Sequence, residues 1–158
     1  MAITYRDQNI LDFEENLMIQ QVNHMGLMGG GLALETRNMY RFCAEPYAEF
    51  CRDNKWDTIK DNGLFMTFLI NNDFQQLCFV FGQRGVSAYR PQTDYLALKN
   101  GLVSVAKYAK EFSYNVAIPF KLGCGLAGGD WGIVLPIIEE SFDGVNVCIY
   151  KWSKYSGK

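Results

Sequence analysis

The chain has 158 residues, of which 49% are hydrophobic, and a formal net charge of −2 at pH 7. That is enough apolar material for one core and too much for a disordered chain, so a single domain over residues 1–158 is expected. The slight acidity argues against a protein that grips long or sequence-specific nucleic acid through many phosphates, and no apolar run approaches the roughly 18 to 20 residues that span a bilayer.

Ile3 to Tyr5 alternates weakly and reads as a first strand, and Leu17 to Val22 is a clearer second one, running into Asn23. Leu32 through Cys43 carries helical spacing, and Pro46 opens a further run through Tyr47, Phe50 and Cys51 that ends near Trp56, so two helices are predicted here. Leu64 to Ile70 and Leu77 to Phe81 are strand-like and are split by Asn71-Asn72-Asp73, which predicts an antiparallel hairpin. A polar stretch, Gly82 to Thr93, leads to a long helix from Tyr95 to near Phe112. A short buried strand at Val116 to Pro119, a helix from Trp131 to Phe142 and a last strand from Val145 to Tyr150 complete the chain. Strands alternating with helices, plus one hairpin, predict a three-layer α/β/α domain around a central mixed sheet.

Two glycine-rich turns stand out, Gly26-Leu27-Met28-Gly29-Gly30-Gly31 and Gly123-Cys124-Gly125-Leu126-Ala127-Gly128-Gly129, each between a strand and a helix. Glycine lets a backbone approach a ligand closely, and a helix that starts just beyond offers free N–H groups to an anion. In sheets of this kind ligands lie outside the carboxyl ends of strands, where both turns fall. The first turn fits neither the phosphate loop G-x-x-x-x-G-K-[ST] nor the dinucleotide fingerprint G-x-G-x-x-G. Five cysteines form no C-x-x-C pair and are odd in number, so free thiols are expected, with no metal site, no disulfide framework and a cytosolic location.

The segment Val22-Asn23-His24-Met25-Gly26-Leu27-Met28-Gly29-Gly30-Gly31-Leu32-Ala33 resembles the V-N-x-x-G-x-M-G-x-G-[IL]-A signature of macro domains. Ile118-Pro119-Phe120-Lys121-Leu122-Gly123-Cys124-Gly125-Leu126-Ala127-Gly128-Gly129-Asp130-Trp131 is similar to their second loop, I-P-x-x-G-C-G-L-x-G-x-D-W. The likeness runs from near Ile3 to Tyr150 and points to the branch with ADP-ribose 1''-phosphate phosphatases and terminal ADP-ribose hydrolases. It implies that ADP-ribose, or its 1''-phosphate, lies across the top of the sheet, free or attached to a modified macromolecule, with no cofactor.

By family position, Gly123, Cys124, Gly125, Leu126 and Ala127 would wrap the diphosphate, while Asn23 and the turn Met28, Gly29, Gly30, Gly31, Leu32 would hold the distal ribose. Gln8-Asn9-Ile10 stands where many relatives carry G-D-[IL], whose acidic residue accepts from the adenine amino group, and Tyr150 stands where an aromatic stacks on adenine, although it could equally cap the core. One hydrolase subgroup uses a lysine nucleophile and an acidic residue in the second loop. Here those positions hold Gln83 and Ala127, which argues against a lysine-linked intermediate.

That leaves His24, the single histidine, as the first candidate for proton transfer. Asp130 could position a water, or could simply cap the following helix. Cys124 has no histidine partner beyond this one and reads as a packing residue. Arg84 and Arg90 could meet a terminal phosphate, or be solvated, from a segment long enough to form a flap. The sequence reading is therefore of a metal-independent hydrolase acting on the distal ribose, with ADP-ribose 1''-phosphate as substrate. A non-catalytic reader, or a hydrolase freeing protein or nucleic acid from ADP-ribose, is the alternative.

Overall fold

A computed structural model describes residues 2–87 and 90–153. Six strands, β1 (Ala2–Arg6), β2 (Leu17–Asn23), β3 (Phe65–Ile70), β4 (Gln75–Gln83), β5 (Val116–Pro119) and β6 (Asn146–Tyr150), form one sheet in the order β1-β6-β5-β2-β4-β3. Every pairing is parallel except β3 with β4, so the sheet is mixed and the predicted hairpin is present. Its turn runs through Asn71, Asn72 and Asp73, all at positive φ, which these side chains tolerate better than most.

Helices cover both faces, giving the three-layer α/β/α arrangement expected. The central strand β2 alternates between them. Met18 and Val22 pack under α1 (Gly31–Met39), α2 (Ala44–Asp53) and α3 (Trp56–Asn62), while Leu17 and Ile19 pack under α4 (Tyr95–Phe112) and α5 (Trp131–Ser141). Because β2 is covered on both sides, truncating Leu17 or Ile19, both fully buried, would cost about 2–5 kcal/mol. Among the described residues no helix is long and apolar enough to cross a membrane.

The region after the first glycine turn holds three helices where two were predicted. Helix α1 stops at Met39, a 3-10 turn spans Arg41–Cys43, and α3 begins at Trp56, where the second predicted helix was expected to end. The division follows the caps: Gly63 closes α3 in the left-handed conformation, with its N–H on Ile59 O and Lys60 O. Helix α4 starts on Asp94, whose carboxylate accepts from Ala97 N at 3.0 Å and pairs with Lys60 Nζ at 2.7 Å. A short 3-10 turn, Ile10–Asp12, follows β1 and was not predicted.

The parallel strands share one direction, so Arg6, Tyr150 and Pro119 stand level at neighbouring strand ends, with Asn23 and Gln83 level further along the same edge. Both glycine turns leave from that edge.

Candidate ligand-binding cleft

A cleft of about 570 Å³ opens at the carboxyl edge between the two glycine turns. That volume lies within the range of about 300–1,000 Å³ usual for small-molecule sites. Gly29, Gly30, Gly31 and Leu32 line one side, and Gly123, Gly125, Leu126 and Ala127 line the other. The turns approach each other closely: a Cβ placed on Gly30 would lie 2.7 Å from Leu126 Cδ1.

The first turn is held by Asn23. Its Oδ1 accepts from Met25 N (2.9 Å), Leu27 N (3.3 Å) and Tyr47 Oη (3.0 Å), and its Nδ2 donates to Leu27 O (2.8 Å). Tyr47, fully buried, also donates to Asn23 O. Asn23 thus lines the cleft, yet its polar atoms are committed to shaping the turn. Met28 is buried in the core and anchors the same turn from below. Helix α1 then starts at Gly31 without a side-chain cap, which leaves first-turn N–H groups for a ligand.

The second turn is wired through its own backbone. Cys124 N donates to Lys121 O, Gly128 N to Gly125 O and Gly129 N to Gly123 O, while Ala127 O accepts from Gln92 N and Thr93 N. Behind it Gln21 donates to Gln83 Oε1 (3.1 Å) and Thr93 Oγ1 (3.0 Å), and Thr93 donates to Gly123 O (2.6 Å). Gln83 in turn donates to Gly85 O, which fixes its carbonyl toward Gln21. The segment after β4 runs beside the cleft, where Val86 and Ser87 line it.

Several residues expected at the site lie elsewhere. His24 does not line the cleft. A register shift at Val22/Asn23 re-aims the chain there, so the imidazole turns to the α2–α3 corner, with Nε2 at 2.6 Å from Asn54 O and the ring 5.9 Å from Trp56. A carbonyl can only accept, so Nε2 carries the proton and serves structure. Asp130 caps α5, its Oδ1 accepting from Gly132 N at 2.8 Å, and it too lies outside the lining.

At the far end, Asn9 spends its carbonyl oxygen on Leu11 N as cap of the 3-10 turn, and Ile10 is buried. Tyr150 is buried as well, donating to Glu15 Oε1 at 2.6 Å and accepting from Glu14 N. Burial, together with that carboxylate, pushes its phenol well above the ordinary range. Cys124 is turned to Leu122 O, and burial, helped by the Asp130 carboxylate, raises its thiol, so it is no thiolate nucleophile.

Among the contributors to the cleft walls and floor that sequence reasoning missed are Gln20, Gln21, Phe120 and Lys121. The signal was available in two glutamines interrupting an apolar central strand. Gln20 is 2% exposed and accepts from Thr36 Oγ1 at 2.7 Å. Among the described lining residues Lys121 is the only ionisable one, and none is a carboxylate, a histidine or a cysteine. Among the described residues no group of three His, Cys, Asp or Glu side chains could hold a metal ion.

No protein-family model matches the sequence, and neither does any curated protein. Solved structures do match. The macrodomain of Mycobacterium tuberculosis DarG is 22% identical with a TM-score of 0.79, over 96% of this chain and 99% of that one. A macrodomain protein from Streptomyces coelicolor is 24% identical with a TM-score of 0.74, over 95% and 99%. Thermosipho africanus DarTG, solved in complex with ADP-ribose, is 20% identical with a TM-score of 0.69, over 91% of this chain and 40% of that one. The fold of this chain is that of the macrodomains.

Proposed function

We propose that residues 1–158 make up one macro domain whose cleft binds ADP-ribose or a derivative of it, chiefly through backbone amides. One observation carries the reading: the two signature turns face each other across a single cleft, close enough for Gly30 to meet Leu126. Fixed N–H groups at α1 and in the second turn suit a diphosphate without a high density of positive charge, in keeping with the slightly acidic composition. The bound ADP-ribose of the Thermosipho protein supports the choice of ligand. Five cysteines, all unpaired, support a cytosolic setting.

The geometry favours a reader over a hydrolase. Both side chains expected to carry catalysis, His24 and Asp130, are engaged in structural bonds outside the lining, and the described wall offers no general acid or base other than Lys121. Titration calorimetry with ADP-ribose, AMP and NAD tests the binding, and an expected preference for ADP-ribose is the deciding result; silence toward all three would end the proposal. Incubation with ADP-ribose 1''-phosphate and with ADP-ribosylated protein or nucleic acid tests turnover. Release of phosphate or of ADP-ribose, unchanged in His24→Ala and Asp130→Ala, would replace the reader by a hydrolase that relies on water alone.

A further inference from the structure

The end of the cleft beside Phe120 carries two cations that binding of plain ADP-ribose does not call for. Lys121 follows β5 and Lys151 follows β6, so they project from adjacent strand ends, joined by the bond from Phe120 N to Tyr150 O at 2.9 Å. Both ammonium groups lie over the Phe120 ring, at 5.6 Å and 4.5 Å from its centre, and Phe120 and Lys121 line the cleft.

The nearby carboxylates are occupied. Glu14 pairs with Arg6, Glu15 accepts from Tyr150 Oη, and Asp7 accepts from Ser153 N. Among the described residues neither Lys121 nor Lys151 is in an ion pair. Lys121 also holds φ at +61°, a left-handed conformation that costs a lysine about 1–2 kcal/mol and costs glycine little. A side chain kept where the backbone asks for glycine points to a use for that side chain.

From this geometry we infer an anion subsite at Lys121 and Lys151 that takes a phosphate on the 2′ or 3′ hydroxyl of the adenosine ribose, so that the ligand is an adenosine diphosphate derivative phosphorylated at both ends of that sugar. The inference rests on the proposed ADP-ribose reading taken in the orientation that the family resemblance implies, with adenine toward Tyr150, whose carbonyl accepts from Phe120 N. Two ammonium groups drawn to the same aromatic ring suit a dianion, whereas the diphosphate is already served by the loop amides.

The test is a set of dissociation constants for ADP-ribose, ADP-ribose 2′-phosphate, AMP, adenosine 2′,5′-bisphosphate and adenosine 3′,5′-bisphosphate at low salt. The wild type is expected to favour an extra phosphate about tenfold, with the margin shrinking as salt rises, as it does for exposed charges. Whichever bisphosphate leads identifies the hydroxyl. Lys121→Gly keeps the positive φ comfortable and deletes the ammonium, so the fold is safe; combined with Lys151→Ala it should bring the ratio close to one. Equal affinities in the wild type, or a preference that survives both substitutions, would overturn the subsite. If ADP-ribose binds while no ligand gains from the added phosphate, this inference alone fails. If nothing binds, the functional reading fails with it.

Discussion

The two glycine turns look alike in sequence and are built in opposite ways. In the first, only Gly26 is tight, against Ala48; a Cβ on Gly29 or Gly31 would meet nothing within 4 Å, and one on Gly30 would meet only the tip of Leu126. In the second, Gly125 is open, but Gly123 is pressed against Gln21 and Thr93, Gly128 against Pro91, and Gly129 against the carbonyl of Gly123. Glycine in the first turn keeps space open above the sheet, and glycine in the second makes room for the protein's own atoms. One turn hangs from a single asparagine; the other is an extension of the core.

Removing that asparagine is the strongest challenge to the contrast. Asn23→Ala should abolish ADP-ribose binding and cost about 3 kcal/mol, since four bonds go and the turn amides lose their acceptor. Calorimetry and urea unfolding would read the two effects, and unaltered binding would mean the turn shapes itself. Gly123→Ala follows, at about 2 kcal/mol: a side chain at φ +73° is strained, and Gln21 Oε1, 2.6 Å from the new Cβ, has to move, pulling the amide nitrogen off Gln83 and Thr93.

Asp94 sharpens the comparison from behind the second turn, because it follows Thr93 and its amide bonds Gly82 O. Burial would raise its carboxyl, but the Lys60 ammonium and the Ala97 and Leu96 amides outweigh it and hold it below the ordinary 3.8. A depressed folded value contributes stability above the ordinary one and loses it as pH falls through the lowered one. Asp94→Asn should therefore cost about 1 kcal/mol at pH 7 and nothing near pH 2, as followed by urea midpoints at both pH values. The smallest stability effect is expected at Gly29→Ala, within about 0.5 kcal/mol of wild type, with ADP-ribose binding weakened at least about tenfold. A loss of stability there would mean that the first turn, too, is packed.

Much of the architecture was readable because periodicity reports which faces are covered. The order of strands along the chain, the hairpin with its Asn-Asn-Asp turn and the cap Asp130 all follow from local chemistry. Direction at a strand end is not local. One irregular pairing between β2 and β4 sends His24 away from the cleft, and nothing near His24 in the sequence announces it. Asn9 and Tyr150 were assigned by position in a family, but their atoms are spent on Leu11 N, Glu15 and Glu14 N, partners that only the folded chain supplies. Gln20 and Gln21 were visible as polar residues in a buried strand and went unused.

The sheet order also sets a demand on how the molecule assembles. Strand β6 slots between β1 and β5, pairing Ala2 with Asn146 at one flank and Val116 with Val147 at the other. The β1–β6 pairing joins the first strand to the last and is entropically late, whereas β6 follows β5 through α5 alone, so a folding intermediate would carry β6 with a bare margin and β1 adrift. Until β1 closes that margin Arg6 is missing from beside Tyr150, and a species trapped at that stage would recruit strands from other molecules.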